Sequence, residues 1–178
     1  MPEVVNIWRK NYNRKDTKYQ WRRELEFLAT LHPYHGFPKV LNAGLDANGE
    51  EFIDLTHCGL SLGVAYEQGK IGLDAAYLEF RALLRVMKHE GIKHRDLCVN
   101  NLLWHPEQGC HIVDFGIAIW FGEPDVPPAY LAPCSWGIGL DGVSDELRLR
   151  ASIHQLKTGE IYTETDWRNG KEIWSYDF

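Results

Sequence analysis

The sequence predicts an α+β chain in which a small sheet carrying one helix is followed by a mainly helical part. Two observations lead to this class. Apolar residues recur at helical spacing in three separate segments, and short runs rich in β-branched and aromatic residues lie between them. The 178 residues are 44% apolar, which suits one domain, or one domain made of two small lobes.

The chain is predicted to begin with a strand and a helix. The run VVNIW, residues 4–8, is rich in β-branched and aromatic residues, which favours a strand. A helix is expected from Thr17, because apolar side chains then recur every three or four residues, and the prolines and glycine of HPYHGFP end it.

A β-hairpin is predicted next, formed by KVLNAGL and EEFIDL. The Asn48-Gly49 pair between these runs is typical of a tight turn in which both central residues take positive φ. With the first strand and helix, the hairpin completes a small sheet that carries one helix.

The second part is predicted to contain two long helices with a short ribbon between them. The first helix covers Leu73 to Glu90 and ends at Gly91. The turn HPEQG then connects NLLW to a strand over residues 111–119. The last helix is capped near Ser144-Asp145 and stops at Gly159.

Charge and composition exclude several classes of function. The net charge of −6 gives no bulk attraction to nucleic acid or to acidic lipid. No apolar run approaches the length of a membrane span, and the first residues lack the order of a signal peptide. The four cysteines form no CxxC pair, so we expect reduced thiols in an intracellular, cytoplasmic protein.

The stretch IKHRDLCVNNLLW concentrates polar residues between apolar flanks. Asp96 and Asn101 lie in one predicted loop, and Asp114 follows a strand that could pair with Leu102-Leu103 through the HPEQG turn. Carboxylate and amide oxygens suit Mg²⁺, which completes its shell with phosphate and water. The alternative is that Asp96 and Asn101 only close a turn and that Asp114 caps a strand end.

The same residues resemble the protein-kinase family. HRDLCVNN resembles the catalytic loop H-R-D-L-x-x-x-N, and Asp114-Phe115-Gly116 resembles D-F-G. RRELEFLATLHP is similar to the regulatory helix, with Glu24 as its ion-pair glutamate, and HCGLSL to the hinge. PPAYLAP is similar to the end of the activation segment, and SDELRLRASIHQLKTGE to the buried helix that follows it.

The resemblance implies a single two-lobed domain, with a reduced N-lobe over residues 1–55 and a truncated, mainly helical C-lobe over residues 56–178. It implies an ATP-dependent phosphotransferase that acts on a protein hydroxyl, with a protein substrate or partner protein. Asp96 would be the catalytic base or orienting group, and Asn101 and Asp114 would hold Mg²⁺.

The sequence also departs from the kinase pattern around the nucleotide. No G-x-G-x-x-G loop precedes the first strand. Laying V-A-I-K on VVNI puts Asn6 at the lysine position. Lys10 is the nearest lysine that could join Glu24 in contacting the cofactor, but it is expected beyond the strand end, as a solvated loop lysine.

Further departures lie near the acceptor. Cys98 stands where serine/threonine kinases carry a lysine, and Pro127 stands at the position of a threonine that contacts the acceptor site. The A-P-E motif reads Ala-Pro-Cys at residues 132–134. Residues 117–131 contain no Ser or Thr for Arg95 to meet when phosphorylated, so we expect Arg95 to pair with Glu123 or Asp125.

Three hypotheses follow from this pattern. The first is a minimal active phosphotransferase, and the second is a pseudokinase that serves as a binding or scaffold module. The third is a small-molecule kinase of the aminoglycoside or choline type, disfavoured by Arg95, by the D-F-G and PPAYLAP segments and by the lack of room for substrate-binding inserts. The aromatic tail after Gly159 is expected to fold back and cover surface, the alternative being an exposed patch for a partner.

Overall fold

A small antiparallel sheet and one helix form the first part of the protein. The computed structural model describes residues 7–12, 18–128 and 135–173. The strands lie in the order β1-β3-β2, and α1 packs against all three. The bounds are β1 Ile7–Tyr12, α1 Lys18–Leu31, β2 Val40–Leu45 and β3 Glu51–Thr56.

Helices and short strands alternate in the second part. A three-stranded sheet in the order β4-β6-β7 packs against α2 and α3, and β5 pairs with β8. The bounds are β4 Leu60–Ser61, α2 Leu62–Glu67, α3 Leu73–His89, β5 Ile92–Lys93, β6 Leu102–His105, β7 Gly109–Ile112, β8 Ile119–Trp120, α4 Asp145–Thr158 and α5 Glu164–Arg168.

The three long helices lie where their periodicity predicts them. Gly91 follows the end of α3 with a φ of 74°, and Gly159 caps α4 with a φ of 77°, a conformation that glycine adopts without steric cost. The Ser144 hydroxyl accepts a hydrogen bond from the backbone N–H of Leu147, as expected of an N-cap. The α+β class is therefore confirmed.

The predicted hairpin is confirmed, but the predicted turn type is wrong. Gly49 has a positive φ of 78°, whereas Asn48 does not. The Asp46 carboxylate accepts hydrogen bonds from the backbone N–H groups of Asn48 and Glu50, which holds a turn with only one left-handed position.

Two strand predictions are wrong in their limits. The first strand covers Ile7–Tyr12, so Lys10 lies inside it and not beyond its end, while residues 4–6 lie outside the described residues. The strand expected over residues 111–119 ends at Ile112, because the backbone turns at Asp114 with a φ of 66°.

One apolar cluster joins the two parts behind these turns. It combines side chains from α1 and β3 with others from α3, β6, β7 and α4. Its fully buried members include Phe27, Ile53, Phe80, Leu102 and Phe115. A core that is shared in this way fixes β1 and α1 relative to the loops that follow β5 and β7.

The cysteines, the helices and the aromatic tail bear on three further expectations from the sequence. Cys58, Cys98 and Cys110 are buried thiols rather than disulfides. No helix within the described ranges is long and apolar enough to cross a membrane. Of the aromatic tail, Tyr162 is buried and Trp167 is half-buried, while residues 174–178, like the A-P-E-like residues 132–134, lie outside the described residues.

Candidate active site

A buried ion-pair cluster links the small sheet to the D-F-G-like turn. The Lys10 Nζ atom lies 2.6 Å from Glu24 Oε2 on α1 and 2.7 Å from Asp114 Oδ1. The hydroxyl of Tyr12, two residues along β1, donates to the same oxygen of Glu24. Alternation along the strand puts Lys10 and Tyr12 on one face, towards α1 and Asp114.

Burial and charge shift the pKa values of this cluster in definite directions. Complete burial raises the pKa of Glu24, and Lys10 only partly offsets this effect. Burial alone would lower the pKa of Lys10, but the carboxylates of Glu24 and Asp114 outweigh it and raise the pKa. Burial likewise opposes ionisation of Asp114, but Lys10 lowers its pKa, so this pair is charged at neutral pH.

A second cluster forms around the carboxylate of Asp96, which is only 6% exposed. The Ser135 hydroxyl donates to Asp96 Oδ1 over 2.9 Å. The Asn101 amide nitrogen donates to the Asp96 backbone oxygen over 2.8 Å and to Oδ2 over 3.2 Å. Both carboxylate oxygens therefore already accept a hydrogen bond from the chain itself.

The loop that carries Asp96 is anchored from α4. The two oxygens of Asp145 accept hydrogen bonds from the backbone N–H groups of His94, at 2.6 Å, and Arg95, at 2.9 Å. This contact holds Arg95 at a φ of 74°, an uncommon conformation for a side chain of its size. The buried His94 ring reaches the backbone oxygen of Val113, beside the D-F-G-like turn.

Arg95 has one of its two expected partners. Its Nε atom lies 3.0 Å from Asp125 Oδ1, and Lys93 contacts the other oxygen of the same carboxylate. Glu123 pairs with Arg23 on α1 instead. The Arg95 side chain is thus held by the Asp125 carboxylate.

A cavity of about 320 Å³ lies between the small sheet and the second part. Trp8 lines it from β1, and the hinge-like residues 57–59 line it from the connection after β3. Asn101, just before β6, and Asp114, just after β7, line it from the second part. A larger cavity of about 680 Å³, between α3 and the start of α4, contains none of the predicted catalytic residues, so the smaller cavity is the candidate site.

The residues around the smaller cavity fit a metal-bound phosphate group. The Asn101 amide nitrogen is engaged with Asp96, which leaves its amide oxygen as the atom able to bind a cation. Asp114 is 41% exposed on its side chain, and only its Oδ1 atom contacts Lys10. The described part of the chain holds no cluster of three His, Cys, Asp or Glu residues, so phosphate and water would supply the other ligands.

Two contacts of this site were missed by sequence reasoning. Ser135 lies 39 residues beyond Asp96, and no local pattern marks its hydroxyl as a partner of that carboxylate. The expectation that Lys10 is a solvated loop lysine is wrong, since the side chain is 17% exposed and bridges two carboxylates. The alternation of Trp8, Lys10 and Tyr12 along the strand is the signal that could have found it.

Comparisons with known proteins give a family model and similar solved structures. The model of the phosphotransferase enzyme family, APH, matches residues 9–120, which include Lys10, Glu24, Asp96, Asn101 and Asp114. No curated protein matches the sequence.

Solved structures of two kinases share the fold. One is the PK-1 kinase of Cydia pomonella granulovirus, with a TM-score of 0.57, 16% identity, and coverage of 70% of this chain and 49% of that chain. The other is the yeast RNA polymerase II CTD kinase complex CTDK-1, with a TM-score of 0.56, 13% identity, and coverage of 67% and 41%. The chain spans half or less of the length of these structures, and at this identity the likeness concerns the fold alone. The fold is that of a kinase-like phosphotransferase, and because the family model matches more than half of the sequence, the chain belongs to the phosphotransferase enzyme family APH.

Proposed function

We propose that the chain is an Mg²⁺- and ATP-dependent phosphotransferase of the protein-kinase type, which transfers the γ-phosphoryl group to a protein hydroxyl. The observation that carries this proposal is the position of Lys10. Its ammonium is held by Glu24 and by Asp114, and Asp114 lines the cavity together with Asn101. A buried, charged lysine aimed by two carboxylates is well suited to binding phosphate oxygens.

Each residue of the proposed site has a separate task. Lys10 would contact the phosphates, with Glu24 fixing its position. Asn101 and Asp114 would hold Mg²⁺, which supplies charge neutralisation at the transferred group. Asp96 would accept the hydrogen bond of the acceptor hydroxyl, orient it and take its proton.

A pseudokinase is the competing proposal, and the contacts of Asp96 favour it. Both oxygens of Asp96 already accept hydrogen bonds, from Ser135 and from Asn101. In addition, Cys98 replaces the lysine that serine/threonine kinases carry. A chain of this kind would bind nucleotide weakly and act through a partner protein.

The class of acceptor is proposed from the sequence resemblance. The description of the matched family names phosphotransferases and no acceptor, and its match ends at residue 120, before Ser135. Arg95 and the D-F-G and PPAYLAP resemblance are the sequence features that disfavour a small-molecule acceptor. A small hydroxyl compound belongs beside a protein acceptor in any assay.

Transfer of labelled γ-phosphate tests the proposal. The purified chain is incubated with Mg²⁺ and labelled ATP, with a protein mixture or with an amino-sugar or choline as acceptor. We expect labelled protein that depends on Mg²⁺ and that falls by about 100-fold or more in Asp96→Asn, because the orienting carboxylate is lost. Asp141→Asn, an exposed carboxylate elsewhere, is the matched control and should keep full transfer.

The outcomes separate the competing proposals. Nucleotide binding without transfer to any acceptor would favour the pseudokinase. Label in the small compound alone would assign the chain to a small-molecule kinase. Transfer that survives in Asp96→Asn would remove that residue from the mechanism.

A further inference from the structure

The Ser135 hydroxyl occupies the place of an acceptor. It donates to Asp96 Oδ1 over 2.9 Å, and the side chains of both residues are buried. A general base holds and orients the hydroxyl of its acceptor through this same hydrogen bond. An external hydroxyl that took this same position on Oδ1 would displace Ser135.

Asn101 connects this hydroxyl to the side of the cleft that would hold phosphate. Its amide nitrogen bonds Asp96 Oδ2, the oxygen not used by Ser135. The same residue lines the cavity together with Asp114, to which it is tied by the hydrogen bond from the Val113 N–H to the Asn101 backbone oxygen. One carboxylate thus stands between the serine and the proposed metal ligands.

A buried cation close to Asp96 has no hydrogen-bond partner among the described residues. Arg148 on α4 is 1% exposed, and none of its three guanidinium nitrogens has a hydrogen-bond acceptor within the described part of the chain. Burial lowers the pKa of Arg148, while Asp145, Asp125 and Asp96 act in the opposite direction, so these carboxylates are its charged neighbours. A phosphate group offers the oxygens that such a guanidinium lacks.

We propose that Ser135 is an intramolecular phosphoryl acceptor of this chain. Its Oγ forms a bond to the γ-phosphorus of ATP as the bond from that phosphorus to the bridging oxygen of ADP breaks. The proton of the hydroxyl passes to Asp96 and then to water, and ADP leaves with the bonding electron pair. The product is phosphoserine at position 135, with Arg148 as its countercharge.

This inference rests on the proposed function, and its test keeps the two apart. The wild-type chain is incubated with Mg²⁺ and ATP, and the site of any phosphate is located by peptide mass spectrometry. We expect phosphate on Ser135, with a rate per chain that does not change with protein concentration. Incorporation should be lost in Ser135→Ala and in Asp96→Asn, and kept in Thr158→Ala, an exposed hydroxyl bonded only to backbone.

Ser135→Ala removes a buried hydrogen bond and could lose phosphate incorporation by misfolding. ATP binding and transfer to an external acceptor are therefore measured as a second readout. Ser135→Ala should still bind ATP and should label an external acceptor at least as fast as the wild type, since an internal competitor is gone. Labelling of an external acceptor with none on Ser135 would overturn the inference and leave the proposed function intact. Phosphate on another residue of the chain would overturn it as well, and absence of both ATP binding and transfer would overturn both.

Discussion

Removing the ammonium of Lys10 should destabilise the fold strongly, because Glu24 would lose its cation where water cannot replace it. The substitution Lys10→Met keeps a long side chain but abolishes contacts of 2.6 Å to Glu24 and 2.7 Å to Asp114. Glu24 is fully buried, and breaking a buried ion pair from one side costs about 3–5 kcal/mol. Glu24 keeps its bond to Tyr12 and can take up a proton, so we expect the lower limit, about 3 kcal/mol.

Urea unfolding followed by circular dichroism measures this loss, and heating gives the matching midpoint. For a chain of this size about 1 kcal/mol shifts Tm by about 2–4 °C, so Tm should fall by about 6–12 °C. The pKa of Glu24 is already raised by burial, and without Lys10 it rises further. Above that raised pKa the folded variant must bury an ionised Glu24 without its cation. The loss of unfolding free energy relative to the wild type should therefore be larger near about pH 8 than near about pH 5.

Lys171→Met is the matched control for this experiment. Lys171 also lies near two carboxylates, Glu160 and Asp166, but on the surface, so its removal should change stability much less. The reasoning is refuted if Lys10→Met costs under about 1 kcal/mol at both pH values, or no more than the control. Either result would mean that Lys10 does not neutralise a buried Glu24.

Three further predictions follow from the geometry around the cavity and around the loop that carries Asp96. Gly59→Ala would place a Cβ 2.1 Å from the Trp104 backbone oxygen, so the substitution should lower Tm and weaken ATP binding. Gly49→Ala is its control: Gly49 also has a positive φ, but its Cβ would meet open space, so Tm should fall only slightly. Asp145→Ala leaves two backbone N–H groups of the catalytic-type loop without their acceptor, and should cost about 2–4 kcal/mol in urea unfolding; a cost near zero would mean that the loop is held by other contacts. Burial raises the pKa of Cys58 to about 11, so alkylation of this thiol in the folded protein should be slow at neutral pH and faster towards pH 11. At a given pH, bound ATP should slow the alkylation, because Cys58 lines the cavity. Fast alkylation at neutral pH would contradict the burial of Cys58.

Helices were predictable from the sequence because their signals are local. The apolar spacing of α1, α3 and α4, the cap at Ser144 and the glycines at 91 and 159 all act within a few residues. The pairing of β6 with β7 was predictable for the same reason, since a short turn joins them.

The register of β1 and the hairpin turn were predicted less well. The strand was predicted too early in the sequence because Val4 and Val5 are β-branched. The observed strand continues to Tyr12, with side chains that alternate between its two faces. The turn before β3 is decided by the Asp46 side chain, which competes for the backbone N–H groups and leaves only Gly49 with positive φ.

The assembly of the candidate site was only partly predictable. The sequence marks Asp96, Asn101 and Asp114, but Lys10 and Asp114 are 104 positions apart, and only the shared core brings them together. The contact between Ser135 and Asp96 depends on the packing of a loop that no periodic pattern describes. Long-range contacts of single polar side chains leave no repeating signal in a sequence.

Titration of the thermal midpoint with ATP, in the presence and absence of Mg²⁺, tests the central proposal most directly. Asp114→Asn is a clean variant for it, because asparagine tolerates the positive φ of this position, and Asp74→Asn, exposed on α3, is its control. The proposal predicts a Mg²⁺-dependent rise of the midpoint in the wild type and in Asp74→Asn, corresponding to about 2.7 kcal/mol at 100 times the Kd, and none in Asp114→Asn. An unchanged wild-type midpoint at millimolar ATP, or an equal rise in Asp114→Asn, would contradict it.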